Sequence, residues 1–455
     1  MPRNHTENKL GEMPVGRLII SMSVPMILSM FIQALYNVVD SIFVARLEED
    51  ALTAVSLAFP VMSVMIAIGV GTSVGLNAFV SRSLGRGDQK KAQKAANVSL
   101  FLCLCYTVAA LAGGLLLARR FYTMQTDVRS IVDYGEQYLR IVCVWSLGSF
   151  TCQIFEKLLV STGNATASTI AQSVGAVTNI ILDPILIFGL GPIPALGVRG
   201  AAIATVLGQW CAALIGLALN LRYNHTIRFD LRQILPTREI VGSIYAVGIP
   251  SMIMIGLNAV MNFFMNAIML TFSTTAAAVL GVWMKLQSFG FMPVFGMNNG
   301  TLAIFSYNHG ARKIDRVFRT LRISLMLGVC ITAAVALLYE LIPVPLLGLF
   351  SASDYMLSIG VPAIRILAVG MIFGAACVVL SSASQALGHP LWALIISLCR
   401  QVVILLPAAW MLSLSRRLEL VWISQPIAEI LSLVVAVVFV RRLVAELRAQ
   451  RTEAG

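Results

Sequence analysis

Charge is the scarcest ingredient of this sequence. Only 12% of its 455 residues are Asp, Glu, Lys or Arg, about half the roughly 25% usual in soluble domains, and most soluble fold classes are excluded on that ground. Histidine is nearly missing, at four residues. No CxxC pair and no His-rich cluster accompanies the eight cysteines, which lie mostly inside apolar runs (Cys103, Cys105, Cys143, Cys211). Neither a metal framework nor a disulfide scaffold is indicated. No Walker A sequence occurs, which argues against direct ATP coupling. The net charge of +12 does not signal nucleic-acid binding, because such proteins set their basic residues on a polar scaffold that this chain lacks. A cleavable signal is not expected either: the first sixteen residues are polar, and the apolar run after them outlasts an h-region.

What remains is apolar, at 58% hydrophobic residues and a mean hydropathy of +0.85. Twelve apolar segments can be read, at about 17–43, 52–79, 96–118, 131–154, 162–189, 198–221, 240–270, 277–304, 318–342, 358–385, 391–413 and 419–440. Each is long enough for a spanning helix, which needs roughly 20 residues. Lipid offers no partner to an open strand edge, and barrel strands would alternate. The expected fold is an all-α polytopic membrane protein with twelve transmembrane helices. With the N-terminus cytoplasmic, inside segments carry 21 Lys and Arg, beginning with Arg3, against 7 outside. By the positive-inside rule both termini are cytoplasmic.

Sliding the chain on itself by 225 residues aligns Pro25 with Pro250, Asn37 with Asn262, Gly71 with Gly296, Gly75 with Gly300, Ser81 with Ser306, Gly85 with Gly310, Arg140 with Arg365 and Gly163 with Gly388. One ungapped offset serving five helices implies duplication. Six helices per half is an even number, so the repeat is parallel, an arrangement typical of secondary transporters. The expected organisation is an N-terminal six-helix lobe over 1–221, a polar cytoplasmic linker over 222–239 and a C-terminal six-helix lobe over 240–455. Gly71-Thr-Ser-Val-Gly75 matches GxSxG, but a nucleophile elbow needs a preceding strand and a histidine partner. The second half keeps both glycines and not the serine, which points to close helix packing. The protein is therefore not expected to be an enzyme.

An ionisable group at the bilayer centre costs about 2.5–3.5 kcal/mol on insertion scales and is a functional candidate by default. Gln33, Tyr36, Asn37 and Asp40 share one face of the first helix. In the fifth, Asn179 precedes Asp183 by one turn and Pro184 follows, where the missing N–H should open the helix. Glu156 and Lys157 end the fourth helix, either as site residues or as an exposed interfacial pair. Asn258, Asn262 and Asn266 stripe the seventh, and with Lys285, Gln287, Asn298 and Asn299 of the eighth they suggest a polar wall, bundle-internal amide hydrogen bonding being the equal alternative for the stripe. Arg140, Arg365 and Arg400 read as structural, neutralised by helix-end carbonyls. Two carboxylates in one desolvated pocket cannot both stay ionised cheaply. A coupling ion could therefore discharge a bound cation there.

The residues then resemble the multidrug and toxic compound extrusion (MATE) family along essentially the whole chain. The carriers are Pro25…Asp40, Ser83-Leu-Gly-Arg-Gly-Asp88, Asn179…Asp183-Pro184, Gly197-Val-Arg-Gly-Ala-Ala-Ile-Ala204 and Gln425-Pro-Ile-Ala-Glu429. Glu156 also fits the MepA-like bacterial branch. The resemblance implies a secondary active antiporter in the bacterial plasma membrane. It would export amphipathic organic cations in exchange for protons or sodium by alternating access, as a monomer among membrane lipid, with no cofactor beyond the coupling ion. Asp40, Asn179 and Asp183 would form the cation-coupling site, and the metal site if sodium couples. Gln33, Tyr36, Asn37, Glu156, Asn258, Asn262 and Lys285 would contact substrate. The NorM-type members also carry acids in the seventh and tenth helices; this chain does not, which moves coupling to the N-terminal lobe. The rival reading is a flippase for a lipid-linked oligosaccharide or other lipid precursor, which would use the lobe arginines to hold pyrophosphate.

Overall fold

The computed structural model describes residues 9–224 and 226–453; Arg3 lies outside them. Twelve helical spans follow in order: α1 (Val15–Ala45), α2 (Glu49–Gly85), α3 (Gln89–Leu116), α4 (Arg129–Val144, resuming as Leu147–Ser161 after a 47° bend), α5 (Ala165–Phe188), α6 (Val198–Tyr223), α7 (Arg238–Leu270), α8 (Thr274–Gly310), α9 (Ile314–Leu341), α10 (Asp354–Ala386), α11 (Pro390–Ser413) and α12 (Leu418–Glu453). Ten are long and apolar enough to cross a membrane, and eleven with bent α4 counted as one span. The remaining helix, α12, carries the last apolar run of the sequence and continues into the basic stretch from Arg441. Among the described residues the nearest thing to a strand is one isolated bridge, Leu190 to Ile193. Large apolar side chains stand exposed along the spans, Leu116 at 77% and Phe263 at 70% among them, as surfaces solvated by lipid rather than water.

The duplication is written into the backbone. Gly87 has φ +77°, and 225 residues later Arg312 has φ +56°; Gly163 has φ +88° and its counterpart Gly388 φ +103°. Only glycine enters that region freely, so Arg312 holds a conformation the repeat imposes. The tertiary bonds repeat as well. Ser81 Oγ donates to the Ser161 carbonyl at 3.3 Å, and Ser306 Oγ donates to the Ala386 carbonyl at 3.2 Å. The N–H of Asp88 reaches the Ser83 carbonyl at 2.9 Å, and Lys313 N–H the Asn308 carbonyl at the same distance. Helix starts use ordinary caps: Asp88 accepts from Lys91 N–H, Ser273 from Ala276 N–H and Ser353 from Met356 N–H, each satisfying an otherwise orphan donor.

The chain divides into two compact units. The first holds Val24–Ile249 together with the described residues up to Glu12; the second holds Met13–Ser23 and everything from Pro250 onward. The opening turns of α7 are thus counted with the first unit. There Ile240, Ile244 and Val247 are buried, Tyr245 hydrogen-bonds Tyr106 of α3, and Tyr106 in turn meets Thr72 of α2 at 3.0 Å. The Gly71/Gly75 pair serves packing: a Cβ on Gly75 would lie 2.1 Å from the Ile244 carbonyl oxygen, and one on Gly248 would lie 3.0 Å from that of Gly71. In the second unit Gly300 takes the same part, 3.0 Å from the Met22 backbone. Gly75→Ala should therefore destabilise the protein by about 1–3 kcal/mol, the range of overpacking. Gly113→Ala, with open space around it, should be neutral or slightly stabilising. Thermal unfolding of the purified variants in detergent reads both, and an unaffected Gly75→Ala would contradict the packing assignment.

Candidate functional site

The best-defined polar centre lies in the first unit, where α1 meets α5 and α6. Helices α5 and α6 approach closely because glycines face each other. A Cβ on Gly208 would sit 2.8 Å from the Gly175 carbonyl oxygen, and one on Gly200 would sit 2.2 Å from that of Leu186. This proximity lets Asn179 act across the interface. With the amide oriented so that both its ends are satisfied, it donates to Asp183 at 3.1 Å and accepts from the backbone N–H of Thr205 at 3.2 Å. Asn179 and Asp183 are fully buried, at 2% and 0% exposure. The Asp40 carboxyl of α1 is within hydrogen-bonding reach of Asp183. Its Oδ1 is buried and has no partner among the described residues. Helix α5 continues through Pro184 to Phe188, so the expected opening is confined to the one bond the proline cannot make.

Tyr36 is half-buried one turn before Asp40, in the neighbourhood of Asp183 and of Cys152 of α4. Tyr138, also on α4 and 5% exposed, is close enough to Asp40, Tyr36 and Asp183 to feel their charges. Sequence reasoning missed Tyr138 and Cys152, because nothing in the local pattern of α4 marks them; only the fold brings α4 against α1. Gln33 and Asn37, the other polar residues of that α1 face, are exposed.

Glu156 differs from the exposed interfacial pair entertained above. It is 9% exposed, Lys157 is 6% exposed, and the two join at 2.9 Å. Helix α4 runs on to Ser161, so the pair sits inside the helix rather than at its end. Glu156 stands one turn beyond Cys152 on α4, which places it on the helix that borders the Tyr36 neighbourhood.

The second unit has a different character. Asn258 and Asn266 are exposed and Asn262 is half-buried. Lys285 is exposed, with Nζ 5.5 Å from the centre of the Phe350 ring, and among the described residues no carboxylate pairs with it. Asn298 is 8% exposed, and neither polar atom of its amide has a partner among the described residues. A cavity of 1460 Å³ opens between α7 and α11, lined by apolar residues such as Phe264, Phe272 and Trp410, with Arg416 on its wall; none of the sequence-predicted residues lines it.

The three lobe arginines are neutralised by carboxylates, not by helix-end carbonyls. Arg140 meets Glu136 at 3.1 Å, Arg365 meets Glu340 at 3.8 Å, and Arg400 Nε reaches both oxygens of Glu429, at 2.8 and 2.7 Å. The last pair is buried, with side chains 17% and 4% exposed. Arg400 comes from a π-helical turn, Cys399–Val403, and lies over the Phe291 ring, while Gly374 leaves room for the carboxylate.

A duplicated chain of twelve helices, ten or eleven of them able to cross a membrane, with a carboxyl pair in one lobe, is the architecture of a polytopic membrane transporter. Comparison with known proteins gives the family. The MatE model matches residues 25–185 and again 250–411, once per repeat, and the chain belongs to that family. It is 26% identical over 409 residues to an FAD transporter of Shewanella oneidensis, covering 87% of this chain and 88% of that one. It is 25% identical over 439 residues to the multidrug export protein MepA of Staphylococcus saprophyticus, covering 95% and 94%. An outward-facing multidrug resistance MATE transporter of the MOP superfamily superposes with TM-score 0.91 at 26% identity, over 99% of this chain and all of the other. A MOP superfamily transporter from Pyrococcus furiosus, described as having a binding pocket of reversed polarity, gives 0.90 at 25% identity, over 98% of this chain and all of that one.

Breaking a buried ion pair from one side strands a charge, which costs about 3–5 kcal/mol, whereas replacing both partners by apolar residues is often neutral. Glu429→Leu alone should therefore lower thermal stability sharply, and the double variant Arg400→Met with Glu429→Leu should recover most of the loss. Equal, additive losses in a double-mutant cycle would refute the pairing.

Proposed function

We propose that the protein is a secondary active antiporter that exports amphipathic, mostly cationic organic compounds in exchange for protons. The observation that carries this reading is the Asp40–Asp183 carboxyl pair, Asp183 buried and Asp40 half-buried with one oxygen out of reach of solvent, without a counter-cation among the described residues. Two like groups in a low-dielectric site favour sharing a proton over carrying two charges. Deprotonated, the site attracts an organic cation; protonated, it releases one. Binding of proton and drug is thereby mutually exclusive, which is the requirement for exchange by alternating access. Tyr36, Gln33 and Asn37 of the same helix, with Glu156 near Cys152, would shape the drug side, and the named MepA relatives support a drug cargo. Sodium fits less well than a proton. With its amide turned to satisfy both neighbours, Asn179 spends one lone pair of its oxygen on Thr205 N–H, which weakens it as a ligand for a dehydrated cation. The charge bias of the loops supports cytoplasmic termini, and the bacterial relatives support a bacterial plasma membrane.

The lipid-precursor flippase loses its argument, since the three arginines it needs are each paired with an acid. An anionic nucleotide cargo, as in the named FAD transporter relative, is the second reading; Lys285 and the unpartnered Asn298 amide are the groups that would serve it. In proteoliposomes, an imposed proton gradient should drive accumulation of a fluorescent organic cation, and Asp40→Asn or Asp183→Asn should abolish it with the fold intact. Flavin nucleotide uptake that survives both substitutions and fails in Lys285→Ala would overturn the cationic reading in favour of the anionic one.

A further inference from the structure

Helices α1 and α5 touch at two polar points with the same sequence separation. Ser29 hydrogen-bonds Gln172, and Asp40 meets Asp183; both pairs are 143 residues apart. The helices therefore run parallel and in register over that length, about 16 Å at 1.5 Å per residue. The facing positions repeat with 4-3-4 spacing, Ser29, Gln33, Tyr36 and Asp40 on α1 against Gln172, Ala176, Asn179 and Asp183 on α5. That is the spacing of a coiled-coil seam, but here filled by polar groups in an apolar lobe.

The seam continues beyond Gln172. Ser168 stands one turn before it and is 0% exposed. Its hydroxyl has no partner among the described residues, and the buried hydroxyls of Thr169 and Ser173 share that condition. Its register position on α1 is Pro25, which carries no N–H. From Ser168 the start of α5 is one turn away, at Ala165. Just before that start Lys9 Nζ donates to the Gly163 carbonyl at 3.1 Å, a charge that marks the water-facing end. Buried hydroxyls without partners are the groups that hold ordered water.

We propose that the α1–α5 seam is the route by which a proton leaves the Asp40–Asp183 pair for the cytoplasmic face, with the Ser29–Gln172 bridge as its narrowest station. This rests on the reading of that pair as the coupling site. The carboxyl O–H bond breaks and the proton joins a water in the seam. Each water or hydroxyl that accepts a proton on one side releases its own on the other. The proton ends in cytoplasmic water and a carboxylate remains. Asn179 and Gln172 hold the waters in line without being protonated. Ser29 and Gln172 are positioning residues, acting through the water between them and the carboxyls.

The test is substrate-driven proton flux in proteoliposomes, read with a trapped pH dye, together with equilibrium binding of the same organic cation to purified protein. Ser29→Ala, Ser168→Ala and Gln172→Leu should slow flux by about tenfold, below the 10²–10⁴ range for a positioned proton-transfer group, with binding unchanged. The H2O/D2O rate ratio should rise, which a purely structural defect would not produce. Wild-type flux in Ser29→Ala and Ser168→Ala overturns the route, whatever the fate of Gln172→Leu. Binding lost in step with flux also overturns it, by making the seam a support for the site. Wild-type flux in Asp40→Asn instead sinks the coupling reading on which the route depends.

Discussion

The organising constraint is the cost of an unpaired charge in a medium without water. Among the described residues the three buried acids, Glu156, Asp183 and Glu429, each answer it with a partner, and the kind of partner differs. Arg400 and Glu429 cancel each other, as do Lys157 and Glu156. Asp40 and Asp183 do not cancel; like meets like, and one carboxyl oxygen of Asp40 is left without a partner. A cationic visitor, whether proton or organic cation, relieves that arrangement, and nothing within the pair itself does. The surrounding features serve to keep it in place. Glycines on α5 and α6 allow the backbone approach that pins Asn179, and Asn179 fixes the orientation of Asp183.

The two lobes descend from one repeat, down to single hydrogen bonds 225 residues apart, yet they treat charge differently. The first concentrates uncompensated acid; the second neutralises its acid and leaves Lys285 exposed. Duplication therefore fixed the backbone and left the polar content free to diverge. Backbone turns are constrained by sterics at each residue, so Arg312 still adopts the left-handed turn that Gly87 adopts easily. A side-chain charge is constrained only by its neighbours, so a pair can be gained or lost together at little cost.

Legibility in the sequence follows the same division. Apolar length, the repeat and the positive-inside bias are sums over many residues, and they outlined the helices. The α1 face and the Asn179–Asp183 turn were legible because their members lie one turn apart on one helix. Contacts between helices were not. Tyr138 and Cys152 join the site only through the packing of α4 on α1, and Glu429 lies 29 residues from Arg400 on another helix. The burial of Glu156 escaped because adjacent opposite charges read equally well as an exposed pair. The extent of α4 beyond its bend, to Ser161, decided between them.

One relation in the sequence was visible and unread. Ser29 to Asp40 and Gln172 to Asp183 span the same eleven positions, which is three turns of helix. On α1 alone such polar positions look like one side of a cavity, and on α5 alone like incidental serines and glutamine. Set in parallel register, they form a continuous strip that neither helix could bury against lipid. Packing two polar strips together hides both from hydrocarbon, but it leaves hydroxyls at Ser168, Thr169 and Ser173 without partners. A purely structural interface would gain by replacing those hydroxyls with methyl groups, since an unsatisfied buried polar group costs about 1–3 kcal/mol. Their presence on the helix that carries Asp183, between the carboxyl pair and the start of α5, is what a water-bearing path requires.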